Sequence, residues 1–435
     1  MDEFYLTAIF LFVLFLLLGT GVWVGLALLG VAWVGMTLFT SRPAGDAMIT
    51  TIWTASSSWA LTALPLFIWM GEILFRTRLS EDMFRGLSPW LANLPGRLLH
   101  TNIAGCTVFA AVSGSSAATV TTVGKMSIPE LRGRGYPEQL IVGTLAGAGT
   151  LGLMIPPSLT LIVYGVTINE SISKLFIAGI LPGLTLAALF MGYIAVWSLV
   201  RHDQVPPEPA MTLRAKLQHS RFLIPVACLI LAVLGSIYLG FATATEAASF
   251  GVIGALILAA AQGSLTPKSF LASLMGATRT SCMIALILAG AAFLALAMGF
   301  TGLPRALAEW IASLELSPLM LIAALTVFYI ILGCFLDGIS SVVLTMAVVE
   351  PMIRQAGIDV IWFGIFIVVV VEMAQITPPI GFNLFVLQGM TGHEIHYIAR
   401  AAVPFFVLMC VMVVILVAVP GLATWLPETM RQAPG

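Results

Sequence analysis

The chain has 435 residues, 60% of them hydrophobic and only 9% charged, with a mean hydropathy of +1.05. Soluble domains carry roughly a quarter charged residues, so a water-soluble globular protein is excluded and a lipid setting is indicated. The formal net charge of −1 offers no basic surface for nucleic acid.

Apolar stretches near the ~20 residues of a membrane span recur at 4–39, 50–75, 98–124, 138–168, 174–200, 222–262, 280–300, 317–350, 360–390 and 401–426. Roughly nine to eleven spans are expected, in an all-α polytopic membrane protein. The first ten residues, MDEFYLTAIF, start with acids and show no basic region or cleavage site before the apolar run, so 4–39 reads as two retained spans. Glu72 and Arg76, at i and i+4, read as a local pair. In EDMFRGLSPWLANLPGRL (81–98), Met83, Leu87, Trp90, Leu91 and Leu94 share one helical face, predicting a short amphipathic helix in the interface that Pro89 shortens.

Charge sets the sidedness. With the N-terminus outside, one path leaves fourteen basic residues inside: Arg76, Arg78, Arg85, Arg97, Lys125, Arg132, Arg134, Arg201, Arg214, Lys216, Arg221, Lys268, Arg279 and Arg400. Five remain outside, namely Arg42, Lys174, Arg305, Arg354 and Arg431. This positive-inside bias places both termini outside, and it requires 98–124 to enter and leave on one side. That segment is therefore read as a re-entrant hairpin turning at SGSSAAT (113–119), where Ser and Gly favour a break.

A long span follows, broken at LGLMIPPSLTLIVYG (151–165). The polar stretch 201–221, with three prolines and many charges, reads as a cytoplasmic connector between halves 1–200 and 222–435. The second half repeats the first. GLPRALAEWIASLEL places Leu303, Leu307, Trp310, Ile311 and Leu314 at the spacing of the earlier amphipathic helix; FLDGISS (335–341) turns a second hairpin within 317–350; and AQITPPIGFNLFVLQG (374–389) breaks a second span within 360–390. Gly114 precedes Pro156 by 42 positions and Gly338 precedes Pro378 by 40. By the charge path the two units have opposite orientations. Inverted repeats with broken helices are the secondary-transporter pattern, with sites near the midplane.

The chemistry follows from the prolines. Each removes a backbone hydrogen bond and pushes its predecessor toward extended backbone, and at bilayer depth such a break is tolerated only in protein or beside a polar cavity. The freed carbonyls, the Ser158 and Thr377 hydroxyls and the Asn383 amide are hard oxygen ligands suited to Na+. Asp337, Glu246 and Glu372 are acids in or near apolar segments and so functional candidates. The five cysteines (Cys106, Cys228, Cys282, Cys334, Cys410) lack paired spacing and read as packing residues. All five histidines (His100, His202, His219, His393, His396) fall in or beside the expected cytoplasmic loops, and His393 and His396 lack a third metal ligand nearby in sequence. No H-E-x-x-H or G-x-S-x-G occurs, which disfavours an intramembrane enzyme, and inverted hairpins within one chain disfavour a simple channel.

The GSSAAT turn, the IPPS break, the TEAAS opening of a later helix and the TPPIGFNLFV break together resemble the large, DctM-like membrane subunit of tripartite ATP-independent periplasmic (TRAP) transporters, over essentially the whole chain. The family's T-P-T-E-A-A pattern appears here with Ala244 in place of proline, which bears on a local bend more than on function. The resemblance implies Na+-driven uptake of an organic acid across the bacterial inner membrane by an elevator movement, fed by a periplasmic substrate-binding protein and completed by a separate small four-helix membrane subunit. A stand-alone ion-coupled carboxylate carrier is the alternative.

On this reading two Na+ sites are expected, one per repeat. The first comprises Ser113, Gly114, Ser115, Ser116, Thr119, Gly152, Pro156, Pro157 and Ser158. The second comprises Asp337, Gly338, Ser340, Ser341, Thr377, Pro378, Pro379, Gly381 and Asn383. Substrate is expected between them, against Ser115, Ser116, Thr119, Ser158, Thr377 and Asn383, with 4–39, 174–200 and 222–262 in a scaffold around the moving part.

Overall fold

In hydrocarbon every backbone polar group must bond within the protein, and the chain meets this with helices throughout. The structure, a computed structural model, describes residues 3–208, 211–302, 309, 317–379 and 381–430. The second amphipathic helix expected near 303–314, with Arg305, and Arg431 at the C-terminus lie outside the described residues.

The first helices, α1 (Glu3–Gly19), α2 (Val24–Phe39), α3 (Ala44–Ser56) and α4 (Ala63–Phe75), pack with α13 (Ile224–Tyr238), α14 (Ala244–Ala261) and α15 (Pro267–Thr301). The expected 4–39 pair is thus two helices. The segment 50–75 is not one straight span, because the helix breaks at Ser57 and Ser58 and turns by 58° before the 3-10 turn Trp59–Thr62 leads into α4. The α15 helix begins well before the expected position 280: Thr266 caps it, Ser269 completes the capping box, and Pro267 occupies the first turn, where its missing N–H costs nothing. Gly25 of α2 and Gly290 of α15 let two backbones touch, since a Cβ on Gly290 would lie 2.5 Å from Gly25 O.

The second group comprises α6 (Leu99–Ser113), α7 (Ser116–Gly133), α8 (Glu138–Gly149), α9 (Leu151–Met154), α10 (Leu159–Ile168), α11 (Ile172–Val200), α16 (Pro318–Gly333), α17 (Gly338–Gln355), α18 (Val360–Gln375), α19 (Phe382–Thr391), α20 (Ile395–Ala418) and α21 (Gly421–Thr429). Helices α6 and α7 form the first hairpin and α16 and α17 the second. The packing corrects the placement of 174–200 with the scaffold: α11 lies against α6, α9, α10, α18, α20 and α21. The cause is Gly179 and Gly183, where a Cβ would come within 2.9 Å of Met154 O and 2.8 Å of the Ile155 side chain. The groups meet where α4 touches α6 and α15 touches α17.

Two amphipathic pieces join the groups. Helix α5 (Leu79–Leu91) runs two residues beyond Pro89, so the proline does not end it; Ala92 N still bonds Ser88 O at 3.0 Å. It holds α12 (Leu213–Ser220) of the connector through Trp90 Nε1, which donates to Ser220 Oγ at 2.8 Å. Further along the connector, Glu208 accepts from Arg134 at 2.6 Å and from Tyr136 at 3.2 Å. Burial beside that carboxylate pushes the Tyr136 phenol up to about 12.

Among the described residues, five helices are long and apolar enough to cross a membrane, or seven if the bent pairs count as one span each; five shorter apolar helices include arms of both hairpins. Exposed apolar side chains such as Phe12, Leu231, Ile257 and Val414 cover the outer faces, as lipid contact requires.

Candidate functional site

Ser and Gly stop α6 at Ser113. Gly114 takes φ +60°, and a Cβ there would lie 2.8 Å from Pro157 O. Ser115 then caps α7, its hydroxyl accepting from Ala118 N at 3.5 Å. The tip closes on itself: Ser113 Oγ and Thr119 Oγ1 share a 2.8 Å hydrogen bond, and Thr119 Oγ1 donates to Ser115 O at 2.8 Å.

This tip sits on the first break. Leu159 N donates to Gly114 O at 3.4 Å, and a Cβ on Gly152 would lie 2.6 Å from Ser115 O. Neither Pro156 nor Pro157 can donate to the carbonyls of Gly152 and Leu153. Ser158 Oγ donates to Leu153 O and accepts from Leu161 N at 3.3 Å, so it caps α10. All nine residues expected in the first set are therefore brought together, although the Ser158 hydroxyl is engaged in holding the break.

The second tip is arranged similarly, with its own chemistry. Asp337 caps α17 by accepting from Ile339 N at 3.1 Å and Ser340 N at 3.3 Å. Cys334 Sγ lies 3.4 Å from Pro378 O, so tip and break touch here too. Thr377 Oγ1 donates to Met373 O at 2.7 Å, and Gly381, at φ +42°, starts α19 after Pro378 and Pro379. The hydroxyls of Ser340 and Ser341 are buried and unpartnered.

The two sets interlock. Helix α10, after the first break, packs against α17 of the second hairpin, and α19, after the second break, packs against α7 of the first. Gly338 thus faces Leu153 and Thr160, while Asn383 lies beside Gly149 of α8. Ser116 Oγ donates to Glu372 Oε1 at 2.6 Å across the two halves, a contact between residues 256 positions apart that no local spacing announces.

Several other acids and His393 have structural partners. Glu246 forms a capping box with Thr243, accepting from its N–H at 2.8 Å. Glu72 pairs with Arg76 at 2.9 Å, as expected. His393 Nε2 lies 3.0 Å from Glu138 Oε1. Cys106 and Cys334 are buried, but Cys228 and Cys282 are exposed on outer faces and so are not interior packing residues.

Two cavities lie along the first hairpin, one of them at its tip. One, of about 240 Å³, lies between the groups and is lined by Glu72, Ser113, Ser115, Thr121 and Thr280. A polar one of about 510 Å³ is lined by Arg76, Arg78, Glu81, Lys125 and Gln262, and Phe75 borders both. Thr121 and Thr280 were outside the expected set because threonine within an apolar helix carries no distinctive pattern.

The solved structure of the Alcanivorax borkumensis YdaH transporter superposes with a TM-score of 0.65 at 14% identity, covering 94% of this chain and 98% of that one. Neisseria gonorrhoeae MtrF gives 0.53 at 11%, covering 86% and 83%; both likenesses concern the fold. The Pseudomonas aeruginosa C4-dicarboxylate TRAP transporter large permease protein DctM is 31% identical over 87% of this chain and 88% of its own. The isethionate TRAP transporter permease protein DctMQ of Oleidesulfovibrio alaskensis is 30% identical over 94% of this chain and 64% of its own. The model of the tripartite ATP-independent periplasmic transporter, DctM component, matches residues 11–422. The chain therefore belongs to the DctM family of TRAP transporter large permeases, multi-pass membrane transport proteins and not enzymes.

Proposed function

We propose that this chain carries an organic acid across the bacterial inner membrane, coupled to Na+, by an elevator movement of the hairpins and broken helices against α1–α4 and α13–α15. The observation that carries the reading is the pairing of each hairpin tip with a proline-broken helix, Gly114 O to Leu159 N and Cys334 to Pro378 O. Each pairing sets carbonyls released by prolines beside hydroxyls, which suits a hard monovalent cation. The reciprocal packing of α10 on α17 and α19 on α7 supports inverted repeats.

Two Na+ sites are proposed at these tips, with substrate between them, reached through the cavity beside Ser113 and Ser115. Relatives named for C4-dicarboxylates, isethionate and sialic acid favour an acidic substrate. The TRAP assembly implies a periplasmic binding protein and a small membrane subunit, here proposed as a separate chain. The charge asymmetry of the loops supports termini on the periplasmic side.

Uptake into proteoliposomes holding this chain and its small subunit tests the proposal. Organic acids and their purified binding proteins are supplied outside, with and without an inward Na+ gradient. Uptake requiring both Na+ and binding protein, and lost in Ser115→Ala/Thr377→Ala, supports it; uptake indifferent to both refutes it.

A further inference from the structure

The polar cavity of about 510 Å³ opens between the two packing groups: α7 supplies Thr122 and Lys125, Arg76 and Arg78 follow α4, and Gln262 follows α14. Its lining carries three cations against one acid, Glu81. Among the described residues neither Arg78 nor Lys125 forms an ion pair, and Lys125 Nζ lies over the Phe75 ring, 5.4 Å from its centroid. Arg76 is held by Glu72 at 2.9 Å and by Ala272 O at 3.2 Å. Thr122 is 5% exposed, and its hydroxyl has no partner.

Unbalanced positive charge beside an idle buried hydroxyl favours an anion. A carboxylate suits the set, since a guanidinium fork takes both of its oxygens while an ammonium and a hydroxyl add single donors. A lipid phosphate would find the same charges, but Phe75 and Met126 are the only apolar side chains among the residues lining the cavity, too few for an acyl chain to follow its headgroup. The surroundings favour the transported acid. Phe75 also borders the cavity at the first tip, and Glu72, which lines that cavity, is the partner of Arg76. The two cavities thus share a wall at the end of α4, and all three cations fall on the inner side of the charge path. They are exposed, so water and salt weaken their hold, as befits a site that an anion must leave.

We propose that Arg76, Arg78 and Lys125, with the Thr122 hydroxyl, bind the carboxylate of the transported acid at the inner mouth of the path from the first tip. This rests on the organic-acid reading above and adds a second, weaker station to the one between the tips. Lys125 belongs to the hairpin and both arginines follow α4, so the bound anion bridges the two groups.

Met126 lines the same cavity. With the native cysteines replaced, Met126→Cys reports on it through its rate of modification by a negatively charged methanethiosulfonate reagent; Ser264→Cys, also on the lining, serves if Met126→Cys does not fold. The probe is choline succinate, compared with choline chloride at equal ionic strength, on the full-length chain in phosphatidylcholine nanodiscs. Succinate is expected to slow modification several-fold and saturably. Arg78→Gln with Lys125→Gln is expected to remove that protection, and Thr122→Val to raise the succinate concentration it requires several-fold. Gly133→Cys, between Arg132 and Arg134 but outside the cavity, is expected to show none. Failure of succinate to protect the cavity cysteine, or equal protection at Gly133→Cys, overturns the site. Shielding that appears only when phosphatidylglycerol is added, with succinate inert, assigns the cations to a lipid headgroup and overturns it as well. Proteoliposome uptake separates the two claims: sodium-dependent acid uptake without protection overturns this site and leaves the transport reading standing, whereas protection in a chain that takes up no organic acid overturns both.

Discussion

Gly114 is held in place by conformation and space together. Its φ of +60° is unfavourable for an L side chain by roughly 1–2 kcal/mol, and Pro157 O lies 2.8 Å from where a Cβ would stand. Gly114→Ala is expected to lower the thermal midpoint by several degrees and uptake at least tenfold. Gly133→Ala, with open space around it, should leave both within error, and equal effects at the two positions would refute the packing of tip on break. The tip residues were legible in sequence because Ser and Gly in an apolar run leave few roles besides turning and capping. Glu372 was legible only as a buried acid, since its partner Ser116 comes from another half of the chain. Asp337 shows the converse: an acid at a turn suggested an ion ligand, and in the structure its carboxylate caps a helix.

Among elements, α11 departs most from its sequence reading. A uniformly apolar helix says little about its neighbours, but Gly179 and Gly183, four apart, mark the face that approaches another backbone. Gly179→Leu is therefore expected to abolish the folded, monodisperse protein in detergent chromatography, whereas Gly192→Leu, where nothing lies within 4 Å, should behave as wild type. Similar yields for the two variants would contradict the placement of α11 on the first break. The start of α15 escaped notice for another reason: a hydropathy window finds the apolar middle of a helix, while the capping box at Thr266 and Ser269 sets its end. The connector has an element-scale consequence too. Removing the Glu208 carboxylate takes from the connector its bonds to both Arg134, which keeps Glu130, and Tyr136, so Glu208→Ala should speed proteolytic cleavage within 201–211 several-fold, and an unchanged rate would show that the clamp does not hold the connector.

For the whole molecule, the all-helical membrane architecture was readable from composition and from prolines duplicated at matching spacing, but the two packing groups were not, because sequence order does not reveal which faces meet. The elevator reading requires those groups to slide. An apolar cleft of about 810 Å³ opens where α1, α2 and α15 face α16 and α17, and is lined by Met298 on one side and Val348 on the other. With the native cysteines replaced, a cleavable thiol cross-linker joining Met298→Cys to Val348→Cys is expected to stop uptake, and cleavage to restore it; full uptake while cross-linked would rule out such sliding. The exchange of partners between halves also has a consequence for the chain during its synthesis. The α7 face that receives Glu372 and Asn383 emerges from the ribosome roughly 250 residues before them, which at about 5–20 residues per second is on the order of ten to fifty seconds. Through that interval the first half carries an open polar seam that only the second half can close, so insertion factors must shield it, and a message truncated before α18 should yield a product cleared by membrane proteases.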